Sequence, residues 1–545
     1  MKRDHAIGTL VAVPATVASL LCLMLLATLA APAQEVQTNP QVINEDYHDT
    51  SIPVSEMVQG VPFVGVSPQF VLPVRRKPGL TVVSPEPDAA TQDLQEIQMV
   101  GTTNKLNFDG VFDRDHDAPP DTNASVGSTQ VVETVNTSYQ VFNKSTGASV
   151  FGPAEISSIF TNVPGACGLG SRGFYSDPVV EYDKAAGRWL VTILASPDRF
   201  NTGVECIAVS ATSNATGSYH RYAFSFGTNN LNDYPKFGVW PDAYYASYNM
   251  FNAFTGFSGA RVCAYQRSAM VAGLTAISIC FQRSVASGDF SFLPSDLDGS
   301  GIGSAGEPNF FVELGETCST TCNLLDLFKF HVNFTTPSLS TFTGPKALTV
   351  ASFTLACGGL TCIPQTGTTQ QLDSLGDRLM FRLAYRNFTG TGAHESLVAT
   401  HSVRTSTAAS GVRWYEIRNP NGTPIVFQQG TVASGSTALW MGSIGMDKDG
   451  DIAVGFSESS SSIHPKIAYT GRVPSDPSGT MESINVVFSG AGSQTGGLNR
   501  WGDYTSISID PSDDCTFWYA NEYIPSNGSF NWHTRLNSFK FTGCM

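Results

Sequence analysis

Charge is what this sequence has least of. Asp, Glu, Lys and Arg make up only 14% of its 545 residues, against about a quarter in ordinary soluble domains. Coiled coils and long solvent-exposed helices need charged outer faces, so both are excluded. No C-x-x-C pair and no two histidines at ligand spacing occur, which removes the common zinc sites. Beyond the first 33 residues no apolar run reaches the ~18 residues of a membrane span, so none is expected. G-x-S-x-G, H-E-x-x-H, a Walker loop and a G-x-G-x-x-G between strand and helix are also missing. The charge that is present is unbalanced, with 31 Lys and Arg against 46 Asp and Glu, a net −15. Such a chain repels nucleic acid and anionic lipid, so no nucleic-acid partner is expected.

What is present is apolar and aromatic. Hydrophobic residues reach 41%, with 34 Phe and 17 Tyr, enough for a sizeable core. At the N-terminus Lys2 and Arg3 precede the apolar stretch Val17 to Ala31 and the small-x-small triplet Ala31-Pro32-Ala33. This is the layout of a secretory signal peptide spanning 1–33, with cleavage after Ala33. The expected destination is extracellular or periplasmic. Ten cysteines then remain, an even number, which favours disulfides in an exported chain. Neighbours in sequence suggest five local bridges: 167/206, 263/280, 318/322, 357/362 and 515/544.

Residues 34–104 are rich in Pro, Gln, Val and Thr without strong periodicity and read as an N-terminal extension, loosely structured or partly strand. From 105 to 545 short β-rich runs alternate with Gly, Asn, Asp and Pro, the all-β signature. Four segments repeat a strand, an Asp at a turn and a second strand: Pro178–Asp183 with Arg188–Thr192, Phe237–Asp242 with Ala243–Tyr248, Ser443–Asp447 with Asp451–Phe456, and Ser506–Asp510 with Cys515–Tyr519. Weaker copies lie near 124, 309 and 378. A period of roughly 55–70 residues is that of radially repeated four-stranded sheets. The fold expected is an all-β, seven-bladed β-propeller with an N-terminal extension, and most simply a monomer; tandem β-sandwiches would satisfy the same strand count. The four repeated Asp residues fit Asx turns at the hairpin ends, a structural duty.

The phrases Pro119-Pro-Asp-Thr-Asn123, Tyr234-Pro-Lys-Phe-Gly-Val-Trp-Pro-Asp242, Arg500-Trp-Gly-Asp-Tyr-Thr-Ser506 and Asp510–Tyr519 resemble a group of large secreted bacterial proteins without characterised function. That resemblance covers about 110 to 545. More distantly, the Asp-at-turn repeat is similar to the Asp-box of sialidase-type propellers. No segment fits Ser-x-Asp-x-Gly-x-x-Trp fully, so the resemblance implies the fold and transfers no catalytic residue.

In a propeller the innermost strands begin at the central funnel. Polar residues just before them are therefore the site candidates: Asp177, Asp377 and Asp503 as catalytic carboxylates, and Lys236, Arg378 and Arg500 as substrate-binding cations. Two carboxylates ~5–9 Å apart could perform acid/base glycoside hydrolysis. The same residues could instead bond free backbone groups and lock adjacent blades. Trp501, beside Arg500 and Asp503, is the aromatic expected to stack on a sugar. Calcium is the one cofactor suggested. Asp296, Asp298, Ser300 and Glu307, with Ser304, follow the 1, 3, 5, 9, 12 spacing of a calcium loop. Asp113-Arg-Asp115-His-Asp117 and Asp447-Lys-Asp449-Gly-Asp451 are weaker versions. The functional expectation is a secreted carbohydrate-active hydrolase or lyase acting on an extracellular glycan or polysaccharide. The alternative is a non-catalytic propeller that binds a glycan or a protein.

Overall fold

β-Branched and aromatic residues, broken every few positions by turn formers, leave the chain little choice but strands. The computed structural model describes residues 1, 39–57, 69–79, 88–92, 101–169, 174–199, 201–299, 306–315, 322–406 and 408–545. The protein is nearly all β; the single α-helix among the described residues is Arg267–Ala272. Asn39–Met545 forms one compact unit. The expected signal peptide lies, Met1 apart, outside the described residues.

Strands pair with their neighbours in sequence, set after set. Asn123–Val126 begins the first antiparallel set of four, which ends at Ser149–Glu155. Phe174–Asp183, Asn230–Val239, Leu293–Leu297, Met380–Phe388 and Ala438–Met446 each begin another. The sets begun by Leu293–Leu297 and Met380–Phe388 join through those two strands, which run parallel with Ser295 opposite Leu383. The last set has only three consecutive strands, Ser506–Ile509, Thr516–Tyr523 and His533–Phe541. Its fourth place is taken by Thr102–Phe112 from the other end of the chain. Each first strand touches the first strand of the next set, and Ser506–Ile509 touches Asn123–Val126, so the inner strands form a closed ring.

The N-terminal extension contributes edge strands to this framework. Gln41–Asn44 pairs with Ile277–Gln282, Tyr47–Thr50 with Tyr219–Ser225, and Thr91–Gln92 with Ile425–Val432. Second strands such as Arg188–Ser196 are buried on both faces, because neighbouring sheets cover each side. Trp189, Trp414 and Trp440 fill those interfaces and are fully buried. Disulfides join Cys167 to Cys206, Cys263 to Cys280, Cys357 to Cys362 and Cys515 to Cys544, as the sequence suggests. Cys318, the expected partner of Cys322, lies outside the described residues. The repeated Asp residues do make turns: Asp183, Asp447 and Asp510 accept the amides of Ala186, Asp449 and Ser512 at 3.0, 2.9 and 2.9 Å.

One repeat is invisible in the sequence. Just before or within the first half of six inner strands stands a non-glycine residue with left-handed backbone: Asp121, Asp177, Tyr234, Ser291, Met441 and Asp503, with φ from 53° to 59°. Pairing slips beside three of them, between Ser176 and Val179, Asp233 and Lys236, and Trp440 and Ser443. Such bulges re-aim side chains and recur next to functional sites. Non-glycine residues adopt this conformation rarely, Asp more readily than Tyr or Met.

Candidate functional site

The left-handed residues mark one mouth of the ring. Asp503 and Asp121 stand there just before two successive inner strands and Asp177 within the third, followed by Tyr234 and Lys236 on the next. Tyr, Ser and Met occupy the equivalent position elsewhere, so the backbone does not demand an acid. Three acids side by side are a choice of the sequence.

Burial governs their chemistry. Asp121 is completely buried, and neither of its carboxylate oxygens has a hydrogen-bond partner. Desolvation, reinforced by the nearby Asp503 and Asp177 carboxylates, pushes its pKa well above the ordinary value. Asp177 is pushed up to about 6, again by burial first and then by Asp233. The Ser176 hydroxyl donates to it, and its own amide donates to Asn136 Oδ1 at 2.9 Å. Lys236 is the counter-charge. Its Nζ donates to the Pro235 carbonyl at 2.8 Å and lies 3.5 and 3.9 Å from the ring centroids of Tyr234 and Tyr504. Burial draws its pKa down to about 8, against the pull of Asp177, Asp121 and Asp503.

The other expected residues surround this centre. Arg500 grips Asp503 through both oxygens, with Nη2 to Oδ2 at 2.6 Å. Arg378 grips Asp377 in the same way, at 2.9 and 3.2 Å, and stacks 4.5 Å from the Tyr234 ring centroid. Burial works against the charged form of Asp377, but Arg378 outweighs it and holds the carboxyl below its ordinary range. Trp501 requires a correction. It is 0% exposed, donates to Ser457 Oγ at 3.1 Å and packs against Trp440. No face is left for a sugar, because the left-handed Gly502 and Asp503 turn the polar residues toward the mouth and Trp501 inward.

The mouth is covered. Phe70–Val71 pairs in parallel with Asp117–Ala118 and leads residues 72–77 across the cluster. Arg500 Nε donates to the Leu72 carbonyl at 2.8 Å, and Arg378 Nη2 to the Arg75 carbonyl at 2.6 Å. Arg75 pairs with Asp233 at 2.9 Å, Arg76 pairs with Asp373, and the Lys77 amide donates to Asp377 Oδ2 at 3.1 Å. The cavity left beneath is about 20 Å³, room for about one water. Sequence reasoning missed this segment, and it missed Asp121, Asp233 and Tyr234. For Asp121 the signal was present, since it precedes an inner strand as Asp503 does.

The expected calcium loop has a different occupant. Asp296 lies within the strand Leu293–Leu297, and the Arg382 guanidinium bonds both its Oδ2, at 2.8 Å, and Asp298 Oδ1, at 2.5 Å. Positive charge is thus already supplied there. Glu307 accepts from the Tyr385 hydroxyl at 3.3 Å; Ser300 and Ser304 lie outside the described residues. A larger cavity of about 300 Å³ opens at the opposite end of the inner strands, lined by Tyr182, Asp183, Lys184, Trp240 and Arg267 among others. Its Arg267 is already bound to Asp183, and among the described residues no group of carboxylates lines it.

No family model matches the sequence, and no curated protein matches it. Among solved structures it is similar to the WD40 domain of SCAP from fission yeast, at 9% identity over 80% of this chain and 82% of that one, with a TM-score of 0.31. An α-L-arabinanase of Penicillium chrysogenum is 11% identical over 68% of this chain and 98% of its own, at 0.36. An exo-β-1,3-galactanase of Phanerochaete chrysosporium is 9% identical over 78% and 92%, at 0.29. None of these likenesses assigns a residue.

Proposed function

We propose that this is an exported, seven-bladed β-propeller that hydrolyses extracellular glycans at its strand-start mouth. The observation that carries the reading is the placing of Asp503, Asp121 and Asp177 at the left-handed positions of three successive inner strands, where other inner strands carry Tyr, Ser or Met. Glycoside hydrolysis needs a protonated carboxyl to deliver a proton to the leaving oxygen and a second carboxylate to attack or to activate water. Burial supplies the first in Asp177 and Asp121. Asp503, clamped by Arg500, is the second. Lys236 balances the charge, and Arg378, held flat by Asp377 and Tyr234, binds sugar hydroxyls. Export fits the four disulfides among the described residues, since such bonds persist in oxidising compartments.

Residues 70–77 must leave before a glycan enters. Arg75→Asp with Arg76→Asp sets like charges against Asp233 and Asp373 and frees the mouth. Reducing-sugar release from a polysaccharide panel is expected from that variant, well above wild type, and is abolished by adding Asp177→Asn. A second reading is favoured by the extended segment lying in the mouth: a propeller that binds an extended chain without cutting it. Silence of the opened variant across the panel, with amide exchange at Leu72 and Lys77 showing that the segment has lifted, decides for that reading.

A further inference from the structure

A second group of carboxylates lies where the closing strand meets the first sheet. Thr102–Phe112 runs into the loop Asp113-Arg-Asp115-His-Asp117, and Glu155 ends the outermost strand of the first set. Asp117 repels Asp113, Asp115 and Glu155; Asp115 repels Asp113 and Glu155. Asp113 Oδ2, Asp115 Oδ2, Asp117 Oδ1 and Glu155 Oε1 are each buried without a hydrogen-bond partner. Asp117 is only 4% exposed.

Four carboxylates at one junction take up protons or draw in positive charge. Arg114 offers one guanidinium, 3.8 Å from Glu155 Oε1, and His116, largely in solvent, lies 3.9 Å from Asp113 Oδ2. The contrast with the other acidic pair is instructive. Asp296 and Asp298 share Arg382, and the oxygens facing it are bonded. Among the described residues no such arginine enters the loop from elsewhere in the chain, and the orphaned oxygens follow the D-x-D-x-D alternation with which a loop presents carboxylates to a hard cation.

We propose that Asp113, Asp115, Asp117 and Glu155 bind a calcium ion. Calcium gathers six to eight oxygens at flexible geometry, whereas magnesium demands a tight octahedron; a mixed loop-and-strand set of carboxylates suits the former. No three of these carboxylates bring an oxygen each within 4.8 Å of one another, so the ion draws the loop inward as it binds. The consequences reach in two directions. The Asp113 amide donates to the Trp532 carbonyl at 2.9 Å, and Trp532 Nε1 donates to the Asp117 carbonyl at 2.7 Å, so the ion ties the last set to the first. The Phe70 amide donates to the His116 carbonyl at 2.8 Å, so the same loop anchors the segment that covers the mouth. The site does not depend on the glycan reading.

Trp532 also supplies the assay, because an indole this close sensitises terbium emission. Mature protein stripped with a chelator is titrated with Tb³⁺ under tryptophan excitation. Sensitised emission is expected, displaced by Ca²⁺ at concentrations at least tenfold below those of Mg²⁺. Asp115→Asn and the milder Glu155→Gln each weaken Ca²⁺ displacement at least tenfold, while Asp298→Asn leaves it unchanged. Both loop variants are checked for folding by circular dichroism, and Glu155→Gln carries the test if Asp115→Asn fails. Absence of emission overturns the proposal. So does emission indifferent to the junction substitutions, or equally sensitive to both ions.

Discussion

Replacing Glu133 with glutamine should lower stability by a fixed amount in acid and win it back progressively as the pH climbs. Glu133 sits on the second strand of the first set, and its Oε2 accepts the amide of Val111 in the closing strand at 2.9 Å. Its Oε1 has no partner, and the side chain is fully buried. Burial pushes its pKa from 4.5 up to about 7, against the hydrogen bonds from Thr534 and Val111. Below the unfolded value both states are protonated and nothing is lost. Between the two values the unfolded chain ionises while the folded one stays protonated, so stability falls as pH rises; above about 7 the whole cost applies. At about 1.4 kcal/mol per pH unit, that cost is about 3 kcal/mol. Glutamine keeps the acceptor for Val111 and cannot ionise. Its unpaired amide adds a penalty of about 1–3 kcal/mol that does not vary with pH. Denaturant unfolding of both proteins from pH 4 to 8.5 measures the difference. A gap growing by about 3 kcal/mol between pH 4.5 and 8 is expected. A gap constant across that range refutes the claim that Glu133 is neutral in the folded protein.

Three further outcomes follow from the same reasoning. Arg382→Met strands Asp296 and Asp298 and is expected to cost about 3–5 kcal/mol in denaturant unfolding; adding Asp296→Asn and Asp298→Asn recovers part of it. Trp501→Ala, which empties a fully buried site, costs about 3–5 kcal/mol. Glycan affinity of the opened variant is unmoved by it, measured by calorimetry. With Asp177 as proton donor at about 6, glycan cleavage by the opened variant declines above that pH, approaching tenfold per unit. Rates that stay level to pH 8 remove Asp177 from that role.

The parts of this protein that the sequence discloses are those decided by near neighbours. Asp183, Asp447 and Asp510 bond amides two or three residues away, so a turn motif reads as a turn. Cysteines separated by 5 to 39 residues could be paired on the same ground. Contacts across hundreds of residues leave no such trace. Residues 70–77 have neither periodicity nor motif, and their partners lie at 233, 373, 377, 378 and 500. Trp501 stands among charged neighbours and reads as a surface residue, until a left-handed turn at Gly502 and Asp503 sends it inward. Nor could spacing separate the two acidic loops. Asp296 and Asp298 have the fuller ligand pattern, yet Arg382, more than 80 residues on, claims them.

The order in which the chain is made sets a problem for the closing strand. Thr102–Phe112 is synthesised long before its partner His533–Phe541. Until then an eleven-residue strand waits with its backbone donors and acceptors unpaired, an open template for any passing edge. Closing a loop this long is entropically slow, though the penalty grows only with the logarithm of its length. A helper that shields this strand until its partner is made is expected to raise the yield of folded protein. Losing His533–Phe541 would leave Thr102–Phe112 permanently unmatched, although the inner strands would still meet. Removal of that strand is for this reason felt first near residue 102.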